Sequence, residues 1–184
     1  METYSIFTAL FAMLFLSCDN TSNTPTQNNN NNTKSAMIES DNLLLQKWDT
    51  PHGIPPFDKI KSKDYQSAFE VAMKRNEQDV DVIINNPDEP TFANTIEALE
   101  RSGSDLNQLA NLFFAVNGAN TDDVLKETNK TISPMLAAHG DKITLNADLF
   151  ARVKSVYDNK KKFKLDKVET FLLDETYKDF IPAG

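Results

Sequence analysis

Beyond residue 62 the apolar positions of this chain recur every three or four residues, and every element that this period predicts is a helix. A first helix, about 63–85, carries Tyr65, Phe69, Met73, Val80, Ile83 and Ile84 on one face, with Ser62 placed to cap it. Pro87 and Pro90 break it. A second, about 92–117, keeps Ile96, Leu99, Leu106, Leu109, Phe113 and Phe114 in period across Gly103. Asn94 with Glu97 offers it a capping-box start and Gly118 a stop. The third, about 122–139, turns Val124, Leu125, Ile132, Met135 and Leu136 inward, with Pro134 predicted to kink it and Gly140 to end it. Asn146 caps a fourth, striped by Leu149, Phe150, Val153, Val156 and Tyr157. Asp166 and Glu169 form a capping box for a fifth, whose apolar set is Val168, Phe171, Leu172, Tyr177 and Phe180. No stretch alternates like a strand, so the expected fold class is all-α, built of antiparallel helices.

Upstream the pattern changes. Between Asn42 and Ile60 the breakers Pro51, Gly53, Pro55 and Pro56 prevent a helix, while Trp48, Ile54, Phe57 and Ile60 need burial. An extended arm lying across the helices and pinned by its aromatics satisfies both demands. Residues 19–40 hold five consecutive asparagines, Asn28 to Asn32, and almost nothing apolar, so they read as a flexible tether with a reach of roughly 25 Å. Ile6 to Leu16 is an apolar run of signal-peptide length, too short for a bilayer span of about 20 residues. It ends at Cys18 in a stretch that resembles a bacterial lipobox. The expected organisation is a signal peptide over 1–17, a lipidated Cys18 with the tether over 18–40, and a helical domain over 41–184. The alternative is a plain secretory signal with an incidental cysteine.

Composition narrows the function classes. An apolar content of 40% with 12 Phe in 184 residues suffices for a packed interior. A net charge of −8 excludes a nucleic-acid surface; Lys160, Lys161, Lys162, Lys164 and Lys167 cluster, and read as a solvated helix end and loop. Cys18 is the only cysteine, which excludes an internal disulfide framework and a thiolate metal cluster.

Candidate chemistry is sparse. The only histidines, His52 and His139, lie too far apart in sequence for the i, i+4 spacing that sets two metal ligands on one helix face. His139 is expected at a helix end, donating to terminal carbonyls, and His52 as a loop hydrogen-bonder. The oxygen-rich run Asn117 to Asp123 lacks a calcium-loop spacing and reads as a helix stop followed by a start. Ser102-Gly103-Ser104 has no phosphate-loop lysine, and Asp79, Asp81, Asp88 and Glu89 read as a solvated acidic stretch. No residue set forms a catalytic or metal site, and there is no His-Glu-x-x-His.

Several words in consistent order nevertheless carry a resemblance. They are LQKWDTPHGIPPF from Leu45 to Phe57, PTFANTIEALERSG from Pro90 to Gly103, FFAVNGANT from Phe113 to Thr121, ITLN from Ile143 to Asn146 and LFARV from Leu149 to Val153. Through them the chain resembles the N-terminal part of bacterial peptidyl-dipeptidases (dipeptidyl carboxypeptidases), zinc metallopeptidases of the thimet oligopeptidase and oligopeptidase A family. The resemblance implies an all-helical, channel-containing enzyme with one zinc that releases dipeptides from the C-termini of short, unfolded peptides. In that family the zinc ligands and the general base lie in the later part of the chain, so none has a counterpart here.

The reading is therefore the non-catalytic N-terminal segment of an envelope-anchored zinc peptidyl-dipeptidase, truncated before its catalytic region and tied to a membrane through a lipid on Cys18. Two alternatives stand beside it. One is a standalone lipid-anchored helical module for peptide binding or assembly. The other is a fragment that complements a separately encoded catalytic half.

Overall fold

A computed structural model of the chain describes residues 41–181. Cys18, with the expected signal peptide and tether, lies outside the described residues. Among these the regular structure is entirely helical, as the apolar period predicts.

The central element is α1, Asp64–Ile84. Tyr65, Ala68, Phe69, Ala72 and Met73 are buried in its first half, and Val80 and Ile83 in its second. Its expected cap is absent: Lys63 stands at the cap position without a side-chain bond, and Ser62 donates instead to Asp122 at the head of a later helix. Next comes a wide π-turn, Phe92–Glu97, capped by Thr91. Here a capping box does form, but three residues earlier than the sequence suggests. Thr91 Oγ1 accepts from Asn94 N at 3.1 Å, and Asn94 Oδ1 accepts from Thr91 N at 2.8 Å. Pro90 favours an extended residue before the turn rather than within it, which selects this register.

The π-turn leads into α2, Ala98–Ser102, and then α3, Ser104–Ala119. The expected single helix is broken at Gly103, where Ser102 Oγ donates back to Leu99 O at 2.7 Å and competes with the helical ladder. Gly118 does not stop α3, which runs on to Ala119. α4, Asp123–Thr144, is capped by Asp122, whose carboxylate accepts from Leu125 N at 2.7 Å. It continues through Gly140, so glycine is not its terminator. Pro134 sits inside the helix on an exposed face, where the carbonyl it leaves unpaired reaches water. α5, Ala147–Asp158, starts at the Asn146 cap as expected. α6, Lys167–Asp179, starts at the expected capping box of Asp166 and Glu169.

Three apolar clusters hold these elements together. The first joins α1 to α3, α4 and the arm through Phe69, Phe113, Leu125, Ile132 and Leu44, with the Phe69 and Phe113 rings edge to face at 5.4 Å. The second sets Phe92 and Ile96 of the π-turn against Val153 and Val156 of α5 and Leu173 of α6. The third lays Leu149 of α5 on Val80 and Ile83 of α1. Stacked rings run along the α5–α6 seam, Tyr157 on Tyr177 at 3.8 Å and Phe150 against Phe180 at 5.9 Å. The loop between α1 and the π-turn is held by Arg152 of α5. Its guanidinium donates to Asn86 O at 2.9 Å, to Asp88 O at 3.3 Å and to Asn94 Oδ1 at 3.4 Å.

The arm crosses the helices as expected: Ile60 packs on the first cluster and Trp48 is half-buried, and further residues anchor it as well. Buried Asn42 donates to Asp64 O at 2.8 Å, Leu44 enters the first cluster, and Trp48 Nε1 donates to Leu43 O at 2.8 Å. Ile54 and Phe57 are exposed, contrary to expectation, although Phe57 still borders α1 and α3 beside Tyr65 and Leu112. Val124 and Phe114 are likewise exposed, at the edges of stripes whose centres are buried.

On α6 the expected stripe is right at Leu172, Tyr177 and Phe180, which pack on the second cluster, and wrong at its N-terminal end. Leu173, absent from the predicted stripe, is fully buried, while Val168 and Phe171 are 75% and 66% exposed. Truncating Leu173 to alanine therefore costs about 2–5 kcal/mol of stability. Phe171→Ala stays within about 0.5 kcal/mol, and paired urea unfolding curves check the contrast.

Candidate functional site

Sequence spacing keeps the histidines apart, and the structure does not bring them together. His52 stands in the exposed turn at φ 60°, ψ 17°, in the left-handed region. His139 lies within α4, not at its end, and is only 7% exposed. It belongs to a polar string between α1, α2 and α4 that sequence reasoning did not foresee. Ser102 Oγ spends its proton on Leu99 O, so it accepts from Asn76 Nδ2 at 3.0 Å. That fixes the amide and turns Asn76 Oδ1 towards His139 Nε2 at 2.7 Å, which makes Nε2 the protonated nitrogen. Nδ1 lies 3.5 Å from Glu77 Oε1, and the other oxygen of Glu77 meets Lys142 Nζ at 2.7 Å. The one available signal was Asn76, a polar residue in the apolar register of α1.

Such a string suits a strut better than a reaction. Both imidazole nitrogens face protein partners, and the neighbouring hydroxyl, on Ser102, is already committed to a carbonyl. The Lys142 ammonium, through its hydrogen bond, holds the Glu77 carboxyl below the ordinary value of 4.5, with His139 adding a smaller pull in the same direction.

An open cleft of about 460 Å³ adjoins the string, lined among others by Asn107, Leu136, Gly140, Thr176 and Phe180. A second, of about 450 Å³, lies under the arm between Leu44, Trp48, Arg75 and Leu109. Neither assembles a nucleophile, a base and an oxyanion donor. Among the described residues no three His, Cys, Asp or Glu side chains group closely enough to hold a metal ion. The donor set therefore does not fit a zinc ion.

The remaining sequence candidates have local roles. Lys160 Nζ pairs with Asp174 at 2.9 Å and sits 4.1 Å over the Tyr157 ring, in a short 3-10 turn after α5. Lys161, Lys162, Lys164 and Lys167 are exposed. In the Asn117 to Asp123 run, Thr121 Oγ1 bonds Asn117 Oδ1 at 2.9 Å and Asp122 caps α4. Asp79, Asp81, Asp88 and Glu89 are all exposed. No described helix is long and apolar enough to cross a membrane.

Comparison with known proteins supplies what the site does not. No family model matches the chain. It is 37% identical over 145 residues to the dipeptidyl carboxypeptidase of Salmonella typhimurium, a match covering 79% of this chain and 21% of that protein. It is 35% identical over 143 residues to the dipeptidyl carboxypeptidase of Escherichia coli, covering 78% of this chain and 21% of the relative. The resemblance read from the order of the sequence words is thus borne out, and the chain spans about a fifth of the length of these relatives.

The strut has a signed pH dependence. Glu77 titrates lower in the folded than in the unfolded chain, so its contribution is present above the unfolded value and is lost as pH falls through the folded one. Since this carboxylate is over a third exposed, Glu77→Gln costs less than about 1 kcal/mol at neutral pH. The difference from the unsubstituted chain should shrink as pH falls below the ordinary carboxyl value of 4.5 and through the lower folded value. Thermal melts of both proteins across that range measure it.

Proposed function

We infer that this chain, a relative of the bacterial dipeptidyl carboxypeptidases, supplies the N-terminal, non-catalytic helical segment of a zinc peptidyl-dipeptidase. One observation carries the reading: the match takes in 79% of this chain yet only 21% of the relative. The remaining four-fifths is where the chemistry would reside. The complete protein would release dipeptides from the C-termini of short, unfolded peptides, with the helices over 41–184 forming a wall that restricts access. Residues 1–17 would direct export, and a lipid on Cys18 with the tether to residue 40 would hold the product at a bacterial cell envelope.

A standalone peptide-binding module is the second reading. It is favoured by the closed core that this chain builds for itself around Phe69 and Phe113, and by the two clefts.

Two measurements separate these ideas. The purified chain is expected to retain no zinc and to release no dipeptide from a short peptide, whereas a product extending into the catalytic region does both. Chelator-sensitive dipeptide release by the 184-residue chain itself would sink the non-catalytic assignment. For the anchor, Cys18→Ser should move the expressed protein from the membrane to the soluble envelope fraction, and an unchanged distribution would remove the lipid from the account.

A further inference from the structure

α6 is the edge helix of the bundle. Its packing partners are chiefly α5 and the π-turn, which take Leu172, Leu173 and Tyr177. The capping box of Asp166 and Glu169 fixes where the helix begins, and so fixes which residues face away. Val168 and Phe171, three residues apart and neighbours on one helix face, are 75% and 66% exposed. Elsewhere Val82 of α1 and Leu145 after α4 stand singly, while Ile54 and Phe57 share the non-helical arm. Single residues of that kind need no explanation; an adjacent valine and phenylalanine on an edge helix mark a surface that expects a cover.

Residues 19–40 are nearly devoid of apolar side chains. The relatives, by contrast, carry nearly four-fifths of their length outside the matched region.

We propose that the outer face of α6, centred on Val168 and Phe171, is the seat on which the catalytic region of the complete peptidase packs. This rests on the reading of the chain as the front segment of such an enzyme. The seat is an apolar centre on a helix face rimmed by charges of both signs, Lys167 on one side and Asp174 and Glu175 on the other, a pattern that calls for an apolar helix edge with a polar rim.

The test uses the full chain and a chimera in which residues 41–181 replace the matched region of the Escherichia coli dipeptidyl carboxypeptidase, each with and without Phe171→Lys, and Val168→Lys as a second variant. In the free chain both variants should leave the melting temperature unchanged, because both side chains already lie in water. In the chimera each should lower dipeptide release on the order of tenfold or release the grafted segment to limited proteolysis. A chimera that stays active and equally protected with both variants overturns the seat while leaving the functional reading intact. An inactive, unfolded chimera beside a well-folded free chain overturns the reading and the seat together. Free chain that self-associates, or that pellets with phosphatidylglycerol vesicles, and loses that behaviour on Phe171→Lys would assign the face to a second copy or to a lipid surface and overturn the proposal.

Discussion

α1 must satisfy neighbours on several sides at once, and the arrangement of the other helices follows from that demand. Over its first half it receives the arm, α3 and α4 around Phe69 and Met73; over its second it receives Leu149 of α5. At 21 residues it runs roughly 30 Å, long enough to serve two apolar clusters that do not merge. Between them lies Asn76, buried and polar, and its register decides where α2 and α4 can approach. The amide has donors on one end and an acceptor on the other, so it donates to Ser102 on one side and accepts from His139 on the other in a single orientation. A shift of one residue along α1 would bury that amide without partners, at a cost of a few kcal/mol, which makes it a register pin as much as a bond.

The parts of the fold legible in the sequence were those fixed by local chemistry. Asn146 and the Asp166 and Glu169 pair satisfy helix-start amides within a few residues, and both were read correctly. The failures fall where tertiary context decides. Gly118 and Gly140 carry weak intrinsic preferences, and the helices run through them because their neighbours are held. Phe171, Leu172 and Leu173 are three successive apolar residues, and a 3.6-residue period cannot say which faces inward. Packing on Val153 and Val156 chooses Leu173. Ile54 and Phe57 were expected inside on hydrophobicity alone, and both are more than half exposed on the arm. At the candidate site, His139 was visible as a residue but its partners were not, since Asn76 stands 63 positions away.

Function was legible through word order rather than through chemistry. The words between Leu45 and Val153 carried the relationship that the comparisons found, while the structure offers clefts and a polar strut in place of a reactive centre. That division is physically coherent. The described helices have packed cores and exposed apolar faces, and no described group stands poised for bond making.

The Arg152 bracket bears on how such a segment can change over time. Two of its three acceptors are main-chain carbonyls, of Asn86 and Asp88, which every amino acid provides. The grip is thus blind to side-chain identity along most of the loop it holds. Asp88 and Glu89 are bystanders to it, free to be exchanged for other polar residues while the path of the chain stays put. Variation is channelled into the loop's surface chemistry and withheld from its course, so the distance between α1 and the π-turn can be inherited even as the residues spanning it drift.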